Sequence, residues 1–186
     1  MYRIVSQSLR SSFSGFAVAV LVAGCGDATS VATPNRAEVI APRFATAPAA
    51  ETTAMIATLQ RVTARYHDLS VARREGFVLL HECESRPGEG PVGIVYVNID
   101  RLLDGVIDPE APDALIYAPE SNGPRLVGVE FATPYSLWTN SQPPQFLGAT
   151  FQREDEFGVF ALHAWVWLNN PAGLFAETNP RVSCGL

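Results

Sequence analysis

Two polar residues sit inside strongly apolar, strand-like stretches of this chain: Glu130 within residues 126–131 (LVGVEF) and His163 within residues 159–168 (VFALHAWVWL). A charge in such a setting is costly unless something compensates it. A carboxylate that meets an imidazole favours the imidazolium, and the pair can act as acid and base or bind a cation. It can equally be a hydrogen-bonded pair that only satisfies itself. Strand alternation places Leu126, Gly128 and Glu130 on one face of the first stretch and Val127, Val129 and Phe131 on the other. In the second stretch His163 shares a face with Ala161, Trp165 and Trp167, opposite Phe160, Leu162, Ala164, Val166 and Leu168. Such a surface is a second core or the wall of an aromatic pocket. Tyr96, Asn98 and Trp138 are further candidates for its lining.

A metal site needs about three protein ligands. His67, His81 and His163 are the only histidines and fall in three different segments. His67 reads as solvent-facing on its helix, so zinc or copper held by His81, Glu130 and His163 is the one metal hypothesis, with no ligand spacing behind it. No organic cofactor is implied. The chain has no Gly-x-Ser-x-Gly, no Gly-x-Gly-x-x-Gly and no His-Glu-x-x-His; His81-Glu82 lacks the second histidine one turn on. All 13 basic residues are arginine, which excludes Schiff-base chemistry and a phosphate-loop lysine.

The amino terminus carries a different kind of chemistry. Arg3 and Arg10 precede an apolar stretch, residues 15–23, that ends in Val22-Ala23-Gly24-Cys25. A short apolar core behind positive charge has the form of a secretory signal, and it is well below the roughly twenty residues of a membrane span. The last four residues resemble a lipobox, which implies cleavage after Gly24, acylation of Cys25 and an anchor in a bacterial envelope membrane. Gly26 follows the cysteine where an aspartate would mark inner-membrane retention, which favours the outer membrane. Without the leader's two arginines the net charge moves from −6 to −8. An acidic domain is a poor partner for nucleic acid.

Three cysteines in an exported chain leave one unpaired, and acylation of Cys25 accounts for it. Cys83 and Cys184 then remain to pair in an oxidising compartment. Closing a loop of about 100 residues contributes on the order of 4–5 kcal/mol by chain entropy. The alternative is a buried Cys83 and a free Cys184.

The elements that must position these groups follow from composition and periodicity. Residues 26–50, rich in Ala, Thr, Pro and Ser, read as a flexible tether, leaving residues 51–186 as one domain. From near Thr52, Met55, Leu59, Val62, Tyr66 and Leu69 stripe one face of a helix. Asp68 is placed to cap a second helical segment, residues 70–75, which Gly76 ends. Residues 92–98, 114–117, 126–131 and 159–168 read as strands, and residues 118–124 as the turn of a hairpin. A helical start followed by strands with short connections predicts an α+β domain, an N-terminal helix on one face of an antiparallel sheet.

The strings Ala72-Arg73-Arg74-Glu75-Gly76-Phe77, Val95-Tyr96-Val97-Asn98, Leu126-Val127-Gly128-Val129-Glu130-Phe131, Leu162-His163-Ala164-Trp165-Val166-Trp167 and Asn179-Pro180 with Cys184 look like those of a group of uncharacterised bacterial secreted proteins and lipoproteins. The resemblance runs from about Arg61 to Cys184 and implies no established activity. Members of that group have a histidine where Val95 stands and Asp-Trp where Glu177-Thr178 stands. If their histidine belongs to a site, this chain has lost it.

The leading expectation is a non-enzymatic envelope lipoprotein. Its sheet would bind a small ligand or an envelope protein through Trp138, Trp165, Trp167 and Tyr96, with Glu130 and His163 as polar anchors. A hydrolase-like or metal-dependent enzyme using the same pair is the second reading. A purely structural envelope protein is the third.

Overall fold

A computed structural model describes residues 49–185. The leader, Cys25 and most of the expected tether lie outside the described residues. No described helix is long and apolar enough to cross a membrane.

The first helix, α1, spans Ala49–Thr63, beginning ahead of the expected start near Thr52, and runs into a 3-10 turn, Ala64–His67. The apolar stripe is real: Leu59 and Tyr66 are fully buried, with Met55 and Leu69 packed beside them. Asp68 caps α2, Leu69–Arg74, by accepting from the Ser70 N–H at 2.9 Å. That bond satisfies one of the orphan donors at a helix start.

Six strands form one curled antiparallel sheet in the order β1-β2-β3-β4-β8-β7. They are β1 (Phe77–Arg86), β2 (Gly90–Asn98), β3 (Ala114–Ala118), β4 (Arg125–Pro134), β7 (Gln152–Glu154) and β8 (Val159–Ala164). Between β4 and β7 a small separate hairpin pairs β5 (Gln145–Phe146) with β6 (Ala149–Thr150). The fold is thus mixed α+β. A short helix, α3 (Ile99–Leu102), leaves β2 with Asn98 as its cap, and Leu102 packs on the sheet face opposite Leu59 and Tyr66. The helices therefore occupy both faces rather than one.

The sheet departs from simple alternation at three places that matter for the site. In β4, Ile116 pairs with Gly128 and Tyr117 with Leu126, so one extra residue bulges. Leu126 consequently joins Val129 and Phe131 in one cluster, and Val127 joins the other, reversing the side expected for both. In β2, Gly93 has φ +106°, and a Cβ there would lie 2.8 Å from the Tyr117 carbonyl oxygen. Only glycine allows that approach. In β1 the register slips three times against β2. Bulges bend a strand and increase its twist, and β1 curls across the sheet.

β1 had no place among the expected strands, because FVLLHECESR has neither clean alternation nor a β-branched run. β8 ends at Ala164, earlier than expected. Trp165 turns to donate its backbone N–H to the Leu174 carbonyl, and Trp167 and Leu168 both reach the Val127 carbonyl. Past that point the expected faces no longer apply, so Trp167 packs with the helix-side cluster and Leu168 with the opposite one. The disulfide Cys83–Cys184 joins β1 to the end of the chain.

Candidate functional site

Glu130 and His163 are directly opposed residues of β4 and β8, so sheet register alone brings them together. Their side chains point away from the helix-side core, and Glu130 Oε2 stands 3.3 Å from His163 Nε2. The pair is almost wholly buried, with the carboxylate slightly the more exposed.

The other ring nitrogen is also engaged. His163 Nδ1 lies 2.7 Å from the backbone carbonyl oxygen of Glu177, in the segment that follows β8. A carbonyl can only accept, so Nδ1 carries hydrogen and Nε2 is the nitrogen that faces the carboxylate. Burial works against the charged imidazole, but the hydrogen bond and charge of Glu130, with Glu177 adding, outweigh it and raise the His163 pKa to about 9. At neutral pH the pair is an imidazolium beside a carboxylate. Among the described residues Glu130 has no other polar partner, and its Oε1 is neither hydrogen-bonded nor sealed from solvent.

Glu130 and His163 both line a cavity of about 160 Å³ on the face away from α1. Its inner wall is made of small side chains, Ala114, Ala132, Val97 and Val159, and its outer wall of Leu80, Ile99, Leu102 and Phe157. The curl of β1 supplies Leu80 and His81, and the β7–β8 hairpin supplies Phe157. The two edges of the sheet meet across the cavity: His81 stacks at 6.4 Å on Phe157, and Arg86 of β1 bonds Glu154 of β7 at 3.1 Å. Arg86 also bonds the Glu177 side chain at 2.9 Å. One residue, Glu177, thereby links the rim to the buried pair, through its carboxylate to Arg86 and its carbonyl to His163. Burial and the charge of Glu177 raise the Glu154 pKa against the pull of Arg86.

A second buried acid lies near the cavity. Asp113 precedes β3 and is 1 % exposed; its Oδ2 accepts from the Ala132 N–H at 2.9 Å, while Oδ1 has no partner among the described residues. Burial pushes its pKa up to about 7, opposed by the Ala132 N–H and helped by Asp104 and Glu130.

Comparison with known proteins finds no matching family model, no matching curated protein and no matching solved structure. The site must be argued from its own geometry.

Of the expected site residues, Glu130, His163 and His81 line this cavity together. Among the described residues, however, no three His, Cys, Asp or Glu side chains are grouped so as to hold a metal ion. His81 Nδ1 instead contacts the Glu82 carbonyl at 2.9 Å. Tyr96 lies on the other face, its hydroxyl accepting from Arg73, and Asn98 is occupied in capping α3 and in bonding the Glu75 carbonyl. The tryptophans are not in the wall of this cavity; Trp165 and Trp167 line a second one with Ile56 and Leu174, and Trp138 a third with Pro143 and Pro144. Trp165 donates to the Ala176 carbonyl and stands edge-on behind His163, with ring centres 6.0 Å apart. Trp167 donates to Thr63 on α1, and Trp138 to the Gln142 carbonyl. Each indole N–H thus serves a local structural bond. His67 is exposed, as expected, with its ring edge against Trp167 at 4.4 Å.

Leu80, Arg86, Ile99, Leu102, Glu154 and Phe157 complete the site and were not singled out from the sequence; Glu177 was noted only as a departure from the pattern of the similar group. One signal was available: on β3, β4 and β8 the large apolar residues alternate with alanines, Ala114, Ala132 and Ala161, on the face that holds Glu130 and His163. A face of alanines is a face with room.

Proposed function

We propose that residues 51–186 form a non-enzymatic binding module of a bacterial envelope lipoprotein, anchored through acylated Cys25 and holding a small ligand in the cavity above Glu130 and His163. The observation that carries this reading is a carboxylate with one oxygen left without a hydrogen-bond partner in the wall of a mainly apolar cavity of about 160 Å³, which His81, Arg86, Glu154 and His163 also line. Apolar walls with a few placed polar groups are the usual make-up of small-ligand sites. The volume matches one that accommodates benzene in an engineered protein cavity of about 150 Å³.

The enzymatic reading has less behind it. A general base needs a free nitrogen within reach of the proton it takes, and both nitrogens of His163 face protein acceptors. Both residues line the cavity, but Glu130 is the one of the pair with an atom free of protein partners, and His163 serves to hold its charge in place.

A set of benzene-sized fragments is expected to raise the Tm of the chain. Ala132→Leu, which fills the cavity from β4, is expected to abolish that rise. Equal rises in both proteins, or none in either, would overturn the binding reading. Anchoring is tested separately: intact-mass analysis of chain produced in a bacterial host should show loss of residues 1–24 and an acylated Cys25.

A further inference from the structure

We propose that the ligand class of this cavity is a small neutral molecule, aromatic or compactly aliphatic, that presents a single hydroxyl as donor to Glu130 Oε1. The proposal rests on the cavity being a binding site, and adds which chemistry it selects.

Three observations carry it. First, the polar groups facing the cavity leave an acceptor free but no cationic donor. Glu130 offers Oε1, His163 directs one N–H to Glu130 and the other to the Glu177 carbonyl, Arg86 is committed to Glu154 and Glu177, and His81 has Nδ1 on the Glu82 carbonyl and its ring stacked on Phe157. A ligand therefore gains by donating. Second, the charge at the base is already balanced. The carboxylate has an imidazolium 3.3 Å away, so a ligand ammonium would bring a second cation beside His163 in a buried setting. A ligand carboxylate would face Glu130, with Glu154 also in the wall. Either ion loses its hydration without gaining a free counter-charge. Third, the mouth is apolar: Leu80, Ile99 and Phe157 are 38 %, 43 % and 44 % exposed and line the cavity as well. Entry across that rim favours an uncharged molecule.

A hydrogen bond to a charged acceptor is worth enough to separate two otherwise equal ligands by about tenfold to a hundredfold. The experiment titrates the full-length chain with benzene, phenol, benzylammonium and benzoate, following affinity by calorimetry and the His163 imidazole by NMR. Phenol is expected to bind at least about tenfold tighter than benzene, to shift the His163 ring signals, and to exceed both ions. If benzene equals phenol, or if either ion binds tightest, the hydroxyl-donor proposal falls while the cavity stands as a binding site. If no probe binds and the His163 signals stay fixed, the binding reading itself falls. Glu130→Gln should narrow the phenol–benzene gap; a gap that survives unchanged overturns the assignment of Glu130 as the acceptor.

Discussion

On one side of β3, β4 and β8 the sheet presents Leu115, Phe131, Phe160 and Leu162, which close against Leu59, Tyr66 and Phe77 into a continuous core. On the other side the same strands present Ala114, Ala132 and Ala161 with a carboxylate and an imidazole, beside a smaller second core that includes Ile116, Val127 and Trp165. The helix side carries its tyrosine hydroxyls at the ends of long side chains, while Thr133 keeps a buried hydroxyl without a partner among the described residues. Tyr117 donates to the Tyr66 carbonyl, Tyr66 to Glu75, and Tyr96 accepts from Arg73, so each of these tyrosine hydroxyls finds a partner without leaving a hole. The alanine side cannot close on itself. It is spanned by the curled β1, by α3 and by the segment after β8, and the space left beneath them is the cavity. Identical strands thus make a core on one face and a site on the other, and the deciding variable is side-chain volume. Interiors pack at nearly crystalline density, so a missing volume is either collapsed or kept for a purpose.

The largest expected effect concerns what holds the alanine side shut. The disulfide fastens the end of the segment covering His163 to β1, across a separation of 101 residues. Replacing both Cys83 and Cys184 with alanine should cost about 4–5 kcal/mol in urea unfolding. If covering this face depends on the staple more than the core does, exchange of the Trp165 and Asn179 amides should rise before that of the Phe131 amide.

Next, the two faces should answer truncation in different ways. Phe131→Ala opens a hole in the packed core and is expected to cost about 3–5 kcal/mol. His163→Leu alone strands a buried carboxylate and is expected to cost about as much, roughly 3–5 kcal/mol. The double change Glu130→Leu with His163→Leu should recover most of that loss, since apolar replacement of a buried pair is often neutral. A double variant no better than the single one would mean that the pair is a net source of stability, and the contrast between core and site would weaken.

The pH dependence separates the faces again, because Asp113 and His163 titrate between acid and mildly alkaline pH, whereas in the helix-side core burial raises Tyr117 further above the ordinary tyrosine range. Asp113 has a folded pKa of about 7 against an ordinary 3.8, so the stability it contributes is full below about pH 4 and lost as pH rises through 7. His163 moves from 6.5 to about 9, so its contribution is full below about pH 6.5 and lost as pH rises through 9. Both act in the same direction. The urea midpoint is expected to fall between about pH 4 and pH 9, with Asp113→Asn flattening the lower part of that fall and Glu130→Gln the upper part. At about 1.4 kcal/mol for each pH unit between the folded and ordinary values, the two together amount to several kcal/mol. A midpoint that rises over this range would contradict the protonation states argued above.

The smallest effect tests volume directly. Ala132→Val adds carbon where space exists and should change stability by less than about 1 kcal/mol, whereas Ala164→Leu, on the packed face, should cost about 1–3 kcal/mol by overpacking. Equal costs would mean that the cavity is closed in solution.

Much of this contrast was written locally. The capped α2, the hairpin between β3 and β4 and the oddity of Glu130 and His163 in apolar strands could all be read from residue type and spacing. Other parts could not. The bulge in β4 exchanges the faces of Leu126 and Val127, and one extra residue is invisible to a period-two count until a partner strand is known. β1 hides because its apolar residues run consecutively, and at a bulged edge consecutive residues can face the same way. The tryptophans drew attention as lining beside Glu130 and His163, yet Trp165 and Trp167 line a different cavity, a matter of where the chain turns after Ala164.

Sequence alone was enough to mark residues 92–98, 114–117, 126–131 and the first part of 159–168 as strands and to single out the two polar residues that must be compensated, because hydrophobic periodicity and desolvation act on each segment before any partner is chosen. The meeting of Glu130 with His163 across β4 and β8, the carbonyl of Glu177 on Nδ1 and the arc of β1 and Phe157 over a floor of alanines were decided by tertiary structure. Register between strands distant in the chain is a property of the whole sheet, and an empty volume exists only once all the surrounding side chains are in place.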